Sequence, residues 1–452
     1  MRIKLRTSVL LVASMVMPAF AAELYVGPGQ AFASIQAAID AAADGDTIVV
    51  LPGNYAGFSL SGKRLTILGS GVPYTWVGVS LIGPNGADDP VVIHGVSFRT
   101  VSPPPGPIVT FPGFAGITCT GNGPGPTTPC GPIAQLIVMG AATNLSLLDC
   151  EVLGLGNTSA GFHGVIVGGA AFSAFRCVLA GANVRNCNFF GPPTGVSYGG
   201  SGLIGRCASV VLNDCYVVGQ NGSGGSNASL GAVGYGGNGI VMEGGTLVAH
   251  ETSFYGGFVT TGGPNPYLFG VAGDGVRLFA TAGRIASHGT KVMLGGLGGS
   301  PGAAIAGTSS LVVYSMLLCA NNACSPSAPV STAPYQTFPR LSLNGPAAVW
   351  LTGEFVLTDV PPGAPVALFV QTTPAVQALS ISSGFFGDLL IAPFALPVAS
   401  GFADATGRFT LPVDFGLVPA DFVEIGLFLQ AGAFDPATNL LLASNALGIV
   451  IR

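Results

Sequence analysis

The sequence predicts an all-β protein in two parts, a solenoid of stacked coils followed by a small antiparallel β-sandwich. Three observations point there. A motif of an acid or amide, then Cys or Thr, then three residues and a glycine returns four times. It reads Asp149-Cys150-Glu151-Val152-Leu153-Gly154, Asn186-Cys187-Asn188-Phe189-Phe190-Gly191, Asp214-Cys215-Tyr216-Val217-Val218-Gly219 and Glu251-Thr252-Ser253-Phe254-Tyr255-Gly256. Alternating with it, a glycine opens a short apolar run at Gly164, Gly202, Gly239 and Gly275, 38, 37 and 36 residues apart. Beyond residue 325 the repeat gives way to a segment rich in Pro, Ser, Thr and Ala, and then to strand-like runs of a different character. Repetition near this period means that one supersecondary unit is stacked on copies of itself, because a single unit cannot bury its apolar face alone.

In chain order, Arg2, Lys4 and Arg6 precede an apolar run over residues 9–16, and Ala19-Phe20-Ala21 supplies a small-x-small cleavage pattern. Residues 1–22 therefore read as a signal peptide, since the run is too short to span a bilayer. Its removal takes the formal net charge from −5 to −8, which disfavours nucleic acid and anionic membrane as partners. The expected location is secreted or cell-surface, with no membrane span after processing. Charged residues are only 8% of the chain, and 70 of 452 residues are glycine. Val, Ile, Leu and Phe at strand spacing make that a turn-rich β protein rather than a disordered one.

Glu23-Leu24-Tyr25-Val26 reads as a strand. Over residues 34–43, Ile35, Ala38, Ile39 and Ala42 follow the i, i+3, i+4, i+7 spacing of a one-sided helix that Ser34 can cap. A stack of β-coils leaves its core open at each end, and this helix is the expected lid. Asp44-Gly45-Asp46 and Pro52-Gly53-Asn54 are turns flanking the strand Thr47-Ile48-Val49-Val50-Leu51.

The run AFASIQAAIDAAADGDTIVVLPGNY, residues 31–55, and Leu65-Thr66-Ile67-Leu68-Gly69 after it resemble the N-terminal entry of secreted right-handed parallel β-helix proteins of the pectin-lyase-like superfamily. The resemblance implies a right-handed parallel β-helix over residues 23–324 with an N-terminal capping helix. It leaves function open, since members include polysaccharide lyases, hydrolases, esterases, epimerases, tailspikes and adhesins.

Residues 102–132 are dense in Pro and Gly and read as a long excursion from one coil, as do residues 220–237, which look flexible. Nine cysteines in an exported chain make disulfides available. Cys119 with Cys130, and Cys319 with Cys324, each bracket a short loop and are the candidate bridges. Cys150, Cys187 and Cys215 share the repeat column and read as small buried residues; Arg176-Cys177 and Arg206-Cys207 resemble a second, partial column. Residues 325–339 read as a linker and 340–452 as the sandwich, with strands around Val349-Trp350-Leu351-Thr352, Ala367-Leu368-Phe369-Val370, Gly407-Arg408-Phe409-Thr410 and Glu424-Ile425-Gly426-Leu427. The sandwich is a candidate cap for the open C-terminal end of the stack.

Strand alternation turns Cys150 and Val152 inward and their neighbours outward. The outward set is a candidate binding surface of Asp149, Glu151, Asn186, Asn188, Asp214, Tyr216, Glu251 and Ser253, with Lys291 at its end. Stacked acids repel, and a cation, a raised pKa or solvent relieves them, so calcium is a candidate ligand, although no cofactor is identified. Mixed donors and acceptors also suit a polysaccharide or cell-envelope glycan, while the competing reading is an ordinary solvated face. Among catalytic patterns, the polygalacturonase set of Asn-Thr-Asp, paired Asp, Gly-His-Gly and Arg-Ile-Lys is absent as a set. The residues before the marker glycines, His163, Ser201, Asn238 and Asp274, form a further column, with Arg277 and His288 near Asp274. The sequence thus favours a non-catalytic surface for glycan contact, adhesion or envelope structure; a lyase or hydrolase acting on an acidic polysaccharide is the alternative.

Overall fold

The computed structural model describes residues 22–86, 90–99, 134–154, 163–182, 199–224, 234–261, 270–286, 292–296, 301–314, 317–320, 323–326, 339–345, 347–348, 351–372, 377–378, 385–386, 388–389, 396–417 and 426–451. Through residue 320 the chain winds into three ladders of short parallel strands, visited in a fixed order. One coil shows the pattern: His163–Gly168 lies in the second ladder, Ala171–Phe175 in the first and Val178–Ala180 in the third. From Leu203 onward the second- and first-ladder segments fuse into single long strands, Leu203–Asn213, Ile240–His250, Val276–Ala286 and Ile305–Tyr314. This is a parallel β-helix, with parallel pairing wherever one coil follows another.

In-register stacking follows from the side chains that point inward. Ile67, Ile93, Leu147, Ala174, Leu212 and Ala249 make one row, in which every member is fully buried. Val77, Phe98, Val152, Leu179, Val217 and Phe254 make another in the third ladder. Burying one such side chain stabilises by about 1.5–3 kcal/mol. A strand of two to six residues cannot hold itself together, and its apolar rows supply what it lacks.

The helix is Ile35–Ala41, shorter than the predicted 34–43. Ser34 Oγ accepts from Ala37 N at 3.2 Å, and Ile35, Ala38 and Ile39 join the core at the first coil. Its carbonyl end is held by Lys63 Nζ, which donates to Ile39 O and Ala42 O, both at 2.7 Å. A lysine at that end satisfies carbonyls that a helix leaves unpaired.

At the other end of the third ladder the direction reverses: Ala323–Pro326 runs antiparallel to Leu317–Ala320, with Cys319 opposite Cys324. Beyond it, a three-stranded antiparallel sheet (Arg340–Asn344, Thr352–Thr358, Phe409–Asp414) faces a five-stranded one built on Pro365–Gln371, Gly426–Asp435 and Leu440–Val450. They enclose Phe355, Leu357, Leu368, Phe415 and Leu429.

The sandwich meets the solenoid from the side, where a cap on the C-terminal end was expected. Phe428, Ala446 and Val450 pack on outward residues of the first ladder, Leu68, Val92, Leu148, Phe175, Val211 and Val248. Phe175 and Phe428 stack with centroids 5.3 Å apart. Gly448 explains the close approach, since a Cβ there would lie 2.9 Å from both Leu148 and Phe175.

Candidate functional site

The turn from the first ladder to the third is a single residue in the left-handed region. Gly95 opens this corner column at φ 65°, and Asp149, Arg176, Asp214 and Glu251 continue it at φ 50, 52, 52 and 51°. Consecutive corners are joined by backbone bonds, Asp149 N to Phe175 O at 3.0 Å and Arg176 N to Asn213 O at 2.9 Å. Non-glycine residues are strained there by about 1–3 kcal/mol each, and the column carries four in succession. The corner breaks strand alternation. Asp149, Asp214 and Glu251 consequently do not share a face with Glu151, Tyr216 and Ser253, contrary to the predicted grid.

Two of these side chains, Asp149 and Arg176, form a cluster with His94. Asp149 accepts from Arg176 Nε and Nη2, both at 2.7 Å, and lies 3.2 Å from His94 Nε2. Burial pushes the Asp149 carboxyl up, but the bonds from His94 and Arg176 outweigh it and hold the group well below the usual carboxylate range. Burial opposes the charge on Arg176 as well; its pairing with Asp149 prevails and raises it. The remaining Arg176 nitrogen, Nη1, donates to Gly448 O of the sandwich at 2.9 Å.

Beside this cluster lies a cleft of about 390 Å³ between solenoid and sandwich. Its floor carries His94, Asp149, Arg176, Asp214 and Glu251; its roof carries Arg340, Ser342, Leu343, Ala347 and Leu447. Asp214 is exposed and Glu251 buried. Asn445, also at the cleft, binds both the amide and the carbonyl of Leu341, at 2.6 and 3.0 Å, so its side chain is a fastener within the sandwich. Among the described residues no three His, Cys, Asp or Glu side chains converge to hold a metal ion.

Behind the corner stands the thiol column. Its members are Cys150, Cys177, Cys215 and Thr252, since Glu151 pairs with Val178, Val178 with Tyr216 and Tyr216 with Ser253. Cys187, predicted in this column with Asn186 and Asn188, lies outside the described residues together with both asparagines. The missed signal was spacing: Cys177 follows Gly164 by 13 residues, as Cys215 follows Gly202 and Thr252 follows Gly239. Cys177 and Cys207 accordingly do not form a second column, for Cys177 is buried and Cys207 is exposed. The buried column does more than fill space. Cys150 N donates to Cys177 Sγ at 3.4 Å, Cys215 N donates to Thr252 Oγ1 at 3.3 Å, and each thiol or hydroxyl bonds the carbonyl two residues before it. Burial pushes the Cys177 and Cys215 thiols up, keeping them neutral.

The column before the marker glycines is a second polar ladder. His163 Nδ1 accepts from Ser201 N (3.0 Å), Ser201 Oγ from Asn238 N (3.3 Å), Asn238 Oδ1 from Asp274 N (2.8 Å) and Asp274 Oδ1 from Ala303 N (2.8 Å). Burial and the charge of Arg206 hold His163 down at about 4. Arg277 pairs with Asp274 at 2.8 Å, as their proximity in sequence suggested; His288 is outside the described residues.

Next to this ladder the chain leaves the third ladder and returns to the second, and the two stems interleave. Gly200 N bonds Ala182 O, Gln220 N bonds Gly200 O, Gly237 N bonds Gln220 O, Gly257 N bonds Gly237 O and Gly273 N bonds Gly257 O, all between 2.7 and 3.0 Å. A Cβ on Gly237 would lie 2.0 Å from Gly200 O, and one on Gly273 1.8 Å from Gly237 O. The stems of the excursion at 220–237, predicted flexible, are thus fixed. Its arms Gly222–Gly224 and Gly234–Tyr235 pair with Val259–Thr261 and Gly270–Val271 of the next coil.

On the third ladder, Trp76, Ser97, Glu151, Val178, Tyr216 and Ser253 form one outward row. Ser97 Oγ donates to Glu151 at 2.8 Å, and Arg99 lies 3.6 Å over the Trp76 ring. Tyr216, 44% exposed, contacts Tyr255 at 4.7 Å between centroids. Ser253, at the end of this row, is buried rather than exposed. Of the remaining predicted site residues, Lys291, Cys119 and Cys130 lie outside the described residues, while the backbone register brings Cys319 and Cys324 together. Compared with known families and curated proteins, the chain matches no family model and no curated relative.

Proposed function

We propose that this is an exported, non-catalytic β-helix protein of the pectin-lyase-like kind that presents the outward face of its third ladder to cell-envelope glycan. The observation that carries the reading is the row from Trp76 to Tyr216, where aromatic side chains at both ends flank Ser97, Glu151 and Val178 on one ladder. An aromatic side chain with a polar tip suits a ligand that has an apolar face and a hydroxylated edge. General acid–base work, in contrast, needs a group poised near the working pH. Asp149 is tied to His94 and Arg176, and His163 Nδ1 to a backbone amide. A disulfide between Cys319 and Cys324, set opposite each other in their hairpin, belongs to the same exported reading.

Co-sedimentation with insoluble envelope and plant polysaccharides tests it. Wild-type protein is expected in the pellet with at least one of them, and Tyr216→Ala, at a half-exposed position, in the supernatant with an unchanged Tm. Release of reducing ends or unsaturated uronate from any soluble polysaccharide, with or without calcium, would establish the lyase or hydrolase alternative instead. Mass mapping without reductant reads the bridge directly.

A further inference from the structure

We infer that export processing cuts the chain between Ala21 and Ala22, and that the α-ammonium group so formed pairs with Asp46 to fasten the N-terminal lid. The cut presupposes the exported reading above; the glycan face is independent of it.

Asp46, 7% exposed, stands in the turn between the capping helix and the strand Thr47–Val50. Its Oδ2 accepts from Ala43 N at 2.7 Å, just beyond the helix, and its Oδ1 accepts from Ala22 N at 2.8 Å. None of the ion pairs between described residues reaches this carboxylate. A carboxylate so far out of water calls for a countercharge, and backbone amides offer only dipoles. Ala22 is held on its other side too. Its carbonyl accepts from Thr47 N at 2.9 Å, where Glu23–Val26 begins to pair with Thr47–Val50.

The countercharge comes from the leader junction. Ala19-Phe20-Ala21 is a small-x-small pattern whose cut falls after Ala21. A cut after Ala22 would put Phe20 where the pattern has a small residue, and would discard the nitrogen that meets Asp46. Hydrolysis adds water across the Ala21–Ala22 bond, leaving a carboxylate on Ala21 and an amine on Ala22 that takes up a proton at neutral pH. The mature chain then begins one residue inside the leader predicted over residues 1–22. At this 2.8 Å contact a bond from a neutral amide becomes a charge-assisted one, and such bonds are roughly twice as strong. Through Asp46 and Ala43 the new terminus ties the helix to the first coil, a tie completed only when the leader is gone.

Two measurements test this. The full chain, expressed with its own leader in a secreting bacterial host and recovered outside the cytoplasm, is expected to show the intact mass of a protein that starts at Ala22. Residues 22–452, and the same chain preceded by Phe20-Ala21, are each released from an N-terminal fusion and melted at pH 7, with and without Asp46→Asn. The chain starting at Ala22 should have the higher Tm. Asp46→Asn should lower its Tm about twice as far as it lowers that of the extended chain, the ratio of charged to neutral hydrogen bonds. Equal Tm of the two wild-type chains overturns the ion pair even where the variant folds poorly, and equal losses on Asp46→Asn overturn it as well. An exported chain with any other start overturns the cut and leaves the exported reading standing. A chain that stays in the cytoplasm with its leader intact removes both.

Discussion

Two corners of the same coil solve one problem in opposite ways. Each must turn the chain once per coil while the coils stay about 4.8 Å apart. Between the first and third ladders the corner is one left-handed residue, and Asp, Arg and Glu occupy it at the expense of strain. Between the third and second ladders, two stems from each coil interleave, and the next backbone passes where a Cβ would be. One corner keeps its chemistry and accepts strain, whereas the other gives up side chains to gain hydrogen bonds. A protein with 70 glycines nevertheless leaves these four left-handed corner positions without one, and they line the cleft.

The comparison predicts a steep hierarchy of effects. Gly273→Ala should be the most damaging, costing about 3 kcal/mol or more, the upper end of overpacking, by urea denaturation; a loss under 1 kcal/mol would mean the stems separate readily. Cys177→Val orphans the Cys150 amide and should cost about 1–3 kcal/mol, while Cys177→Thr, imitating Thr252, should cost clearly less. Asp149→Asn should lower the Tm at neutral pH. Because its folded pKa is depressed, the carboxylate's contribution is fully present above its unfolded value near 3.9 and is lost as pH falls below it. The Tm gap between wild type and variant should therefore close in strong acid. His163 acts in a different window. Its pKa falls from 6.5 to about 4 on folding, so stability is full above 6.5 and declines as pH drops toward 4. His163→Gln, which keeps an acceptor for Ser201 N, should flatten that part of the Tm profile. Asp214→Gly completes the series with no loss at all.

The parts of the fold legible in the sequence were those written in periodicity. The glycine spacing, the inward Cys and Val rows, the helix at Ile35–Ala41 and the column His163-Ser201-Asn238-Asp274 each repeat at a fixed interval that stacking converts into contact. The corner was not legible, because Arg and Glu carry no mark of a left-handed backbone, and a strand pattern ran through them undisturbed. Motif likeness also outweighed spacing at Cys187, where the interval of 13 selects Cys177. The lateral docking left a trace that was overlooked. Thr66–Gly69 and Asn144–Leu148 are buried throughout, whereas Glu151–Leu153 alternates. Parallel strands covered on both sides read as continuous apolar runs.

That docking changes how the molecule comes apart. A bare solenoid is nearly one-dimensional, each coil bound only to its neighbours, and its ends can fray independently. Here one rigid body touches six successive strands of the first ladder, from Leu68 to Val248. Residues some 360 positions apart thereby share a fate, since a coil under the sandwich cannot open without stripping Phe428 and Val450 from the others. Hydrogen exchange across those six coils should be uniformly slow instead of graded from the ends. The brace also follows every coil it touches in chain order, so the cooperative unit is set only after those coils have been made.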